Sequence, residues 1–344
     1  MHACMHACMH VCMYVCMYVC MYVCMYVCMY VCIICLGELL INLFLWHSGP
    51  DKWHLDFPHC GGVRQSPVSI KTDEAIVDSE WLVPFILKGY DKMQYLTMQL
   101  ANNGHTVQVD LTVKGDPVSI SGGGLTNVYI VQQFHFHWGK EDKRGSEHDI
   151  DGKYFPMEMH IVHYNSKYKN FTEAVNKDDG LAVLGFLFEV GKYNLRFDHI
   201  IKHFSEIPYR DEHTQIETFP LLELLPEKLD GYYRYYGSLT TPPCYESVIW
   251  SIFYQTIEIS ESQLDQFRHT VHENYANETI RDISDDYRPP QCLNHRKIHC
   301  SKPVLSNSKT TNRSGRTSVS ATLVSVTAIT SLIFLMKLLH NVYW

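Results

Sequence analysis

The sequence predicts a mainly β (α+β) fold: a single domain built on a large, mostly antiparallel, twisted central sheet with a few short peripheral helices. Two patterns support this prediction. Segments in which apolar and polar residues alternate dominate the middle of the chain, and this two-residue period is typical of half-buried strands. Apolar residues at helical spacing are scarce. We expect the domain to span residues 46–300, close to the usual length of one domain.

The predicted strands follow one another along this domain. Residues 106–113, 128–138 and 155–164 alternate between apolar and polar side chains. Residues 181–190 are nearly all apolar, which suits a central strand buried on both faces. Residues 248–259 add a further strand.

Two short helices are predicted at the periphery. Leu264, Phe267 and Val271 have helical spacing behind residues 260–263, whose Ser-Glu-Ser-Gln sequence fits a capping box. Residues 197–204 carry a second apolar pattern of helical type, which predicts another short helix.

The N-terminal residues differ in composition from the domain. Residues 1–28 repeat the tetrapeptides Met-His-Ala-Cys and Met-Tyr-Val-Cys. A tandem nucleotide repeat would encode such peptides, so we interpret this low-complexity segment as a gene-model artefact; the functional alternative is a Cys-rich metal-binding array. Residues 29–45 are mostly apolar and have the length of a secretory signal peptide.

The C-terminal residues indicate a membrane anchor. Residues 301–318 form a polar linker, and the hydrophobic residues 319–344 follow it. Small residues, a polar spacer and a hydrophobic end together fit a glycolipid (GPI) anchor signal. The alternative is a single-pass transmembrane helix. Either anchor places the domain on the extracellular face of the plasma membrane.

Other features of the sequence bear on location and partners. Acceptor sequons for N-glycosylation occur at Asn170, Asn277 and Asn312, which agrees with an extracellular domain. The formal net charge is −8, and no block of Lys and Arg occurs. This distribution argues against a nucleic-acid partner.

The segment over residues 133–138, Gln-Phe-His-Phe-His-Trp, is the most informative part of the chain. The two-residue period of a strand puts His135 and His137 on the same face. If the strand around His160 pairs with it in antiparallel fashion, a third imidazole lies beside the first two. Three imidazoles can hold Zn²⁺ tetrahedrally with one position open, which is the geometry of a catalytic site.

The residues that precede these histidines strengthen the metal hypothesis. Gln133 and Glu158 lie two residues before His135 and His160 and share their faces. A metal-bound imidazole needs an acceptor for its second N–H, and both side chains offer one. The alternative is a histidine pair without a metal, satisfied by hydrogen bonds in the core or at a sheet edge, since the chain has 20 histidines to place.

With these motifs, the chain closely resembles the alpha-class carbonic anhydrases, in particular their extracellular membrane-anchored members. The ligand strands of that family read Gln-Phe-His-Phe-His-Trp-Gly and Glu-Leu-His-x-Val-His, and residues 133–139 and 158–163 match them. Further family motifs follow in order through the domain: Gln-Ser-Pro at 65–67, Asn-Asn-Gly-His at 102–105, Gly-Ser-Glu-His at 145–148, Leu-Ala-Val-Leu-Gly at 181–185, Gly-Ser-Leu-Thr-Thr-Pro-Pro at 237–243 and Tyr-Arg-Pro at 287–289.

The resemblance implies reversible hydration of carbon dioxide to bicarbonate and a proton, with Zn²⁺ as the cofactor. It identifies His135, His137 and His160 as the zinc ligands, supported by Gln133 and Glu158. It also implies inhibition by sulfonamides. The oligomeric state stays open, and a dimer is one alternative.

The resemblance further implies two catalytic devices. Thr240 corresponds to the residue that accepts a hydrogen bond from the zinc-bound hydroxide and donates one to a carboxylate, here Glu147. His105 corresponds to the proton shuttle, because an imidazole that titrates near pH 6.5 can take up a proton and release it to buffer.

The remaining roles also come from the resemblance. Cys60 and Cys244 correspond to a disulfide that braces the Thr240 loop, while Cys292 and Cys300 have no such counterpart and a bond between them is left open. The wall of the carbon dioxide pocket is assigned to six residues: Val162, Val183, Leu239, Thr241, Val248 and Trp250.

Three positions depart from the family pattern and bear on turnover. His47 stands where a Tyr is usual, Gln108 replaces a common Asn, and Cys292 replaces a frequent Pro. The main rival hypothesis is a catalytically silent carbonic-anhydrase-like module that binds a partner at the cell surface. A second is an esterase that uses the same zinc centre.

Overall fold

The computed structural model of the chain describes residues 49–93 and 96–303. The predictions for residues 1–45 and for the hydrophobic C-terminus lie outside these residues. In the described part of the chain, no helix is both long enough and apolar enough to cross a membrane.

Most regular structure in the described residues is β-strand. In chain order the strands are β1 Ser69–Ile70, β2 Ile76–Val77, β3 Phe85–Lys88, β4 Leu96–Asn102, β5 Val107–Val113, β6 Ser119–Gly122, β7 Tyr129–Trp138, β8 Asp149–Ile150, β9 Met157–Asn165, β10 Leu181–Val190, β11 Glu212–Ile216, β12 Tyr232–Gly237, β13 Val248–Phe253, β14 Ile257–Ile259 and β15 His299–Cys300.

Thirteen of these strands form one sheet, whose main path runs β11-β4-β5-β7-β9-β10-β13-β12-β15-β2. Strands β3, β6 and β14 join it from the side, and β1 pairs with β8 separately. Neighbours in the large sheet are antiparallel, apart from the pairs β10–β13, β10–β14 and β15–β2. The prediction of a mainly β fold with a mostly antiparallel sheet is confirmed.

One predicted strand is interrupted. Residues 248–259 form two strands, β13 and β14, which both run parallel to β10. Between the residue that pairs with the end of β13 and the residue that pairs with the start of β14, β10 advances three residues, from Gly185 to Phe188. The segment that carries β13 and β14 advances five residues over the same distance, from Ile252 to Ile257. The two additional residues leave the ladder, so the prediction of one continuous strand was wrong here.

Helices are short and lie between strands. The α-helices are α1 Trp53–Asp56, α2 Phe171–Ala174, α3 Asp198–Ile201 and α4 Glu261–His269, and the 3₁₀ turns are Pro50–Lys52, Pro58–Gly61, Leu195–Phe197, Phe204–Glu206 and Leu221–Leu224. Over residues 197–204 the predicted helix is therefore reduced to α3, which lies between two 3₁₀ turns.

Helix α4 begins as the sequence predicted. The Ser260 hydroxyl accepts the Gln263 N–H, and the Gln263 side chain accepts the Ser260 N–H, which completes the capping box. The helix ends at His269, so Val271 is buried just beyond it.

The two faces of the central sheet bury different side chains. On one face, Phe134, Phe136 and Trp138 of β7 pack in the larger apolar cluster together with Phe267 of α4. On the other face, Val162 belongs to a second buried cluster. Alternation along β7 therefore directs the aromatic rings to one side and leaves its histidines for the other.

We expect Phe267→Ala to lower the free energy of unfolding by about 3–5 kcal/mol, because it removes a fully buried ring. This ring lies 5.2 Å from the Phe136 ring and 5.3 Å from the Trp138 ring, centroid to centroid. Urea denaturation measures the change. Leu195→Ala is the matched control, since Leu195 is 74% exposed and its loss should cost no more than about 0.5 kcal/mol. A Phe267→Ala cost near that of the control would contradict this packing.

Candidate metal centre

Three imidazoles converge between β7 and β9. The antiparallel register sets His135 directly opposite His160, and His137 lies two residues further along β7. The ring centroids are 5.1 Å apart for His135 and His137, 5.2 Å for His135 and His160, and 4.8 Å for His137 and His160. One nitrogen of each ring lies within 4.8 Å of the other two. The predicted convergence of these side chains is confirmed.

The second nitrogen of two of these rings is held by the predicted side chains. His135 Nδ1 lies 2.8 Å from Gln133 Oε1, and His160 Nε2 lies 2.7 Å from Glu158 Oε1. Each oxygen accepts the ring N–H, which leaves the other nitrogen with a free lone pair. His135 therefore offers Nε2, and His160 offers Nδ1.

His137 has a partner that the sequence did not reveal. Its Nδ1 lies 2.9 Å from the main-chain oxygen of Asp286, a residue 149 positions further along the chain. Because every residue has a main-chain carbonyl, the sequence carries no signal that would single out this partner. His137 Nε2 is buried and has no hydrogen-bond partner among the described residues.

The nitrogen set fits a zinc ion. His137 and His160 are buried, and the unsatisfied His137 Nε2 is the kind of polar atom that a bound cation would satisfy. Burial lowers the pKa of His160 and lowers that of His135 well below its usual value, which favours the neutral imidazole that binds metal. Burial also lowers the pKa of His137, but the charges of Glu147 and Asp286 outweigh it and the net pKa is raised.

Glu158 joins the imidazoles to the surrounding structure. Its Oε1 lies 2.7 Å from His148 Nδ1 as well as 2.7 Å from His160 Nε2, and its Oε2 accepts the N–H groups of Glu147 and His148. Burial raises the pKa of Glu158, but the neighbouring His148 and His160 reverse this and hold it well below the usual range. His148 also hydrogen-bonds the Tyr235 hydroxyl at 2.7 Å. No role was predicted for His148, whose only signal in the sequence is its position in the Gly-Ser-Glu-His motif.

Glu147 and Thr240 line one cavity of about 200 Å³. Glu147 Oε1 accepts the Arg288 N–H at 2.9 Å, while Oε2 has no hydrogen-bond partner in the described part of the chain. This Oε2 lies 3.5 Å from His137 Nε2 and 4.0 Å from His160 Nδ1. A buried acceptor thus lies between the convergent imidazoles and the Thr240 loop.

The apolar residues predicted for the substrate pocket lie together. Val183 of β10 pairs with Val162 on one side and Trp250 on the other. The Trp250 ring lies 4.8 Å from the His160 ring. The cluster contains four of the predicted residues and a fifth packs against it: Val162, Val183, Val248 and Trp250, with Leu239. Thr241 lines the cavity that Glu147 and Thr240 also line.

A second cavity of about 210 Å³ contains His105. His135, His137 and Gln108 also line it. Burial, and secondarily the positive charge of Arg210, lower the pKa of His105 from 6.5 to about 3. The role of proton shuttle was expected for an imidazole that titrates near pH 6.5, and the pKa of His105 lies well below that value.

The disulfide is formed as the resemblance implied. Cys60 and Cys244 are joined at 2.07 Å, and the Cys244 N–H donates to the Thr241 carbonyl at 2.9 Å. The bond therefore lies beside the loop that carries Thr240. Cys292 is exposed and Cys300 is buried, and both are free, so the open question of a bond between them is answered in the negative.

The two sequons inside the described residues are exposed at Asn170 and Asn277. Asn170 also caps α2, because its Oδ1 accepts the Glu173 N–H at 2.9 Å. This bond uses the side-chain oxygen and leaves the amide nitrogen available for a glycan.

Comparison with known proteins agrees with this geometry. Residues 48–302 match the sequence profile of the eukaryotic-type carbonic anhydrases, a range that contains all the described strands. The chain is 36% identical over 257 residues to carbonic anhydrase 12 from Homo sapiens, which covers 74% of this chain and 71% of that protein. It is 40% identical over 255 residues to carbonic anhydrase 7 from Mus musculus, and the aligned region covers 74% of this chain and 94% of that protein.

We expect Arg210→Gln to raise the pKa of His105 towards 6.5, because the substitution removes a positive charge that opposes protonation. The Arg210 side chain lies against the turn before His105, where a Cβ on Gly104 would meet it at 2.7 Å. An NMR titration of His105 measures the effect; in the parent the imidazole should stay neutral at pH 5. Arg64→Gln, at a partly exposed arginine elsewhere, is the control and should leave the titration unchanged. An unaltered His105 titration in Arg210→Gln would contradict the electrostatic explanation.

Proposed function

Because the chain belongs to the eukaryotic-type carbonic anhydrase family, enzymes that interconvert carbon dioxide and bicarbonate, we propose that it catalyses this reaction with zinc held by His135, His137 and His160. The observation that carries the proposal is the common orientation of three lone pairs. Each ring donates its other N–H to a defined acceptor, so the tautomers are set before any ion binds.

Zinc in this position would lower the pKa of a bound water to about 7, a value for which carbonic anhydrase is itself the reference case. The negative charge of Glu147, 3.5 Å and 4.0 Å from two of the proposed ligand nitrogens, favours a cation between them. A carboxylate beside three convergent imidazole nitrogens supports a divalent cation at this place.

The proposed role of Thr240 is to orient the reacting water. Glu147 Oε2 is a buried acceptor on the cavity that Thr240 also lines. The proposal requires the Thr240 hydroxyl to donate a hydrogen bond to this oxygen, which would fix the direction of the O–H. The Thr240 oxygen is then left to accept a hydrogen bond from the water, which directs a lone pair of that water towards carbon dioxide.

The proposed substrate wall is apolar, as suits carbon dioxide. Val162, Val183 and Trp250 lie on neighbouring strands on the same face as His160, and they exclude water from that side of the site. Aromatic sulfonamides, which inhibit the family, are expected to compete for the same space.

His105 is the proposed proton relay, supported by its place on the cavity that reaches His135 and His137. A relay must take up a proton as well as release one. The low pKa of His105 makes uptake unfavourable at neutral pH, so we expect slow proton release in this chain.

We expect His160→Ala to lower zinc affinity by more than about 100-fold, since loss of a ligand should exceed the 10–100-fold cost typical of losing its hydrogen-bond partner. Hydration of carbon dioxide should fall with it. Zinc content after dialysis and stopped-flow hydration assays measure the two effects. His213→Ala, at an exposed histidine on β11, is the control and should keep stoichiometric zinc. A His160→Ala variant that hydrates carbon dioxide as fast as the parent would overturn the proposal.

We also propose that the domain lies on the extracellular face of the plasma membrane and is held there by a glycolipid anchor. The disulfide supports an oxidising compartment, and the exposed sequons agree with it. The anchor rests on the sequence of residues 319–344.

Treatment of intact expressing cells with a phosphatidylinositol-specific phospholipase should release the domain into the medium. A chain truncated before residue 319 is the control and should be secreted without phospholipase treatment. Retention of the full chain after treatment would favour the transmembrane alternative and contradict the lipid anchor.

A further inference from the structure

The strand that carries two of the candidate ligands loses its neighbour near the metal centre. Strand β5 pairs with β7 only over Gln133–His135. Beyond this point side chains provide the acceptors: the Thr106 hydroxyl accepts the Phe136 N–H at 3.3 Å, and the Asp286 carboxylate accepts the Trp138 N–H at 2.7 Å. Because buried backbone N–H groups need an acceptor, these two side chains stand in for the missing strand.

Asp286 makes a second contact with the same strand, one residue earlier. Its main-chain oxygen accepts the Nδ1–H of His137 at 2.9 Å, while its Oδ1 accepts the N–H of Trp138. One residue therefore holds both the main chain of β7 and the ring of a candidate ligand. Asp286 is itself 6% exposed, so solvent competes little for either bond.

The main chain around Asp286 has no regular partner of its own. Residues 283–290 form neither helix nor strand. The segment is attached to the end of β7 through individual contacts, such as the Trp138 indole N–H to the Ile283 carbonyl at 2.9 Å and the Lys140 N–H to Asp285 Oδ1 at 3.1 Å. The Asp286 side chain makes a further contact of this kind, with the Trp138 N–H, and it belongs to the same residue as the carbonyl that accepts the His137 Nδ1–H.

We infer that Asp286 is a positioning residue for His137: its carboxylate, by binding the Trp138 N–H, fixes its own carbonyl against His137 Nδ1 and so directs His137 Nε2 towards the metal. The required chemistry is an acceptor at Oδ1. Asparagine provides the same acceptor, whereas alanine provides none. The inference rests on the proposed zinc site.

The test compares Asp286→Ala and Asp286→Asn as zinc-loaded proteins. The rate of zinc loss to an excess of chelator should rise about 10–100-fold in Asp286→Ala, as is typical for loss of a group that orients a metal ligand. The rate in Asp286→Asn should stay within about twofold of the parent. In the zinc-free proteins, long-range ¹H–¹⁵N spectra should show His137 protonated at Nδ1 in the parent and in Asp286→Asn, and a mixture of tautomers in Asp286→Ala.

Ser301→Ala is the matched control, because the Ser301 hydroxyl likewise accepts a strand N–H, that of Tyr232 on β12, at 3.0 Å. It should reduce thermal stability without changing zinc loss. If Asp286→Ala is destabilised but releases zinc at the parent rate, the role of Asp286 is only structural and the inference fails. Faster loss of about tenfold or more in Asp286→Asn would also overturn it, whether or not the alanine variant folds. If the parent itself binds no zinc, the proposed function fails.

Discussion

The antiparallel register between β7 and β9 is the constraint on which the centre depends. His135 pairs with His160, and the two-residue period then brings His137 to the same face. A slip of one residue would send these rings to the face that holds Phe136 and Trp138, and would put aromatic side chains in their place. The large apolar cluster behind β7 therefore sets the position of the imidazoles as well as the stability of the sheet.

Burial of so many polar groups requires a continuous network of partners. Glu158 links His160 to His148, which reaches Tyr235, and the Tyr235 hydroxyl donates to Ser66 at 3.0 Å. From the other side, Arg288 donates its main-chain N–H to Glu147 and its guanidinium to Gln65, to the Ser66 carbonyl and to the Cys60 carbonyl. The disulfide and the imidazoles thus belong to one connected set of contacts, in which His137 Nε2 and Glu147 Oε2 are left without a hydrogen-bond partner beside the candidate metal position.

The sequence was sufficient for those features that short-range periodicity encodes. It predicted the strands around His135 and His160, and the side-chain acceptors Gln133 and Glu158, because each lies two residues from its partner. It could not predict the Asp286 carbonyl, which comes from an irregular segment and has no side-chain signature. The interruption between β13 and β14 coincides with the polar residues Gln255 and Thr256, a signal that the prediction of one strand over residues 248–259 did not use.

The same burial that suits the centre acts against proton release. Desolvation keeps His135 and His160 neutral, which is the state a metal ligand needs throughout the reaction. His105 lies on the same cavity and is subject to the same effect, and Arg210 adds a positive charge beside it. A relay, unlike a ligand, must alternate between two protonation states, so an environment that stabilises only the neutral state slows it. In the proposed mechanism, with His105 as the relay, the fold therefore favours metal binding over proton transfer, and we expect the proton-transfer step to limit turnover.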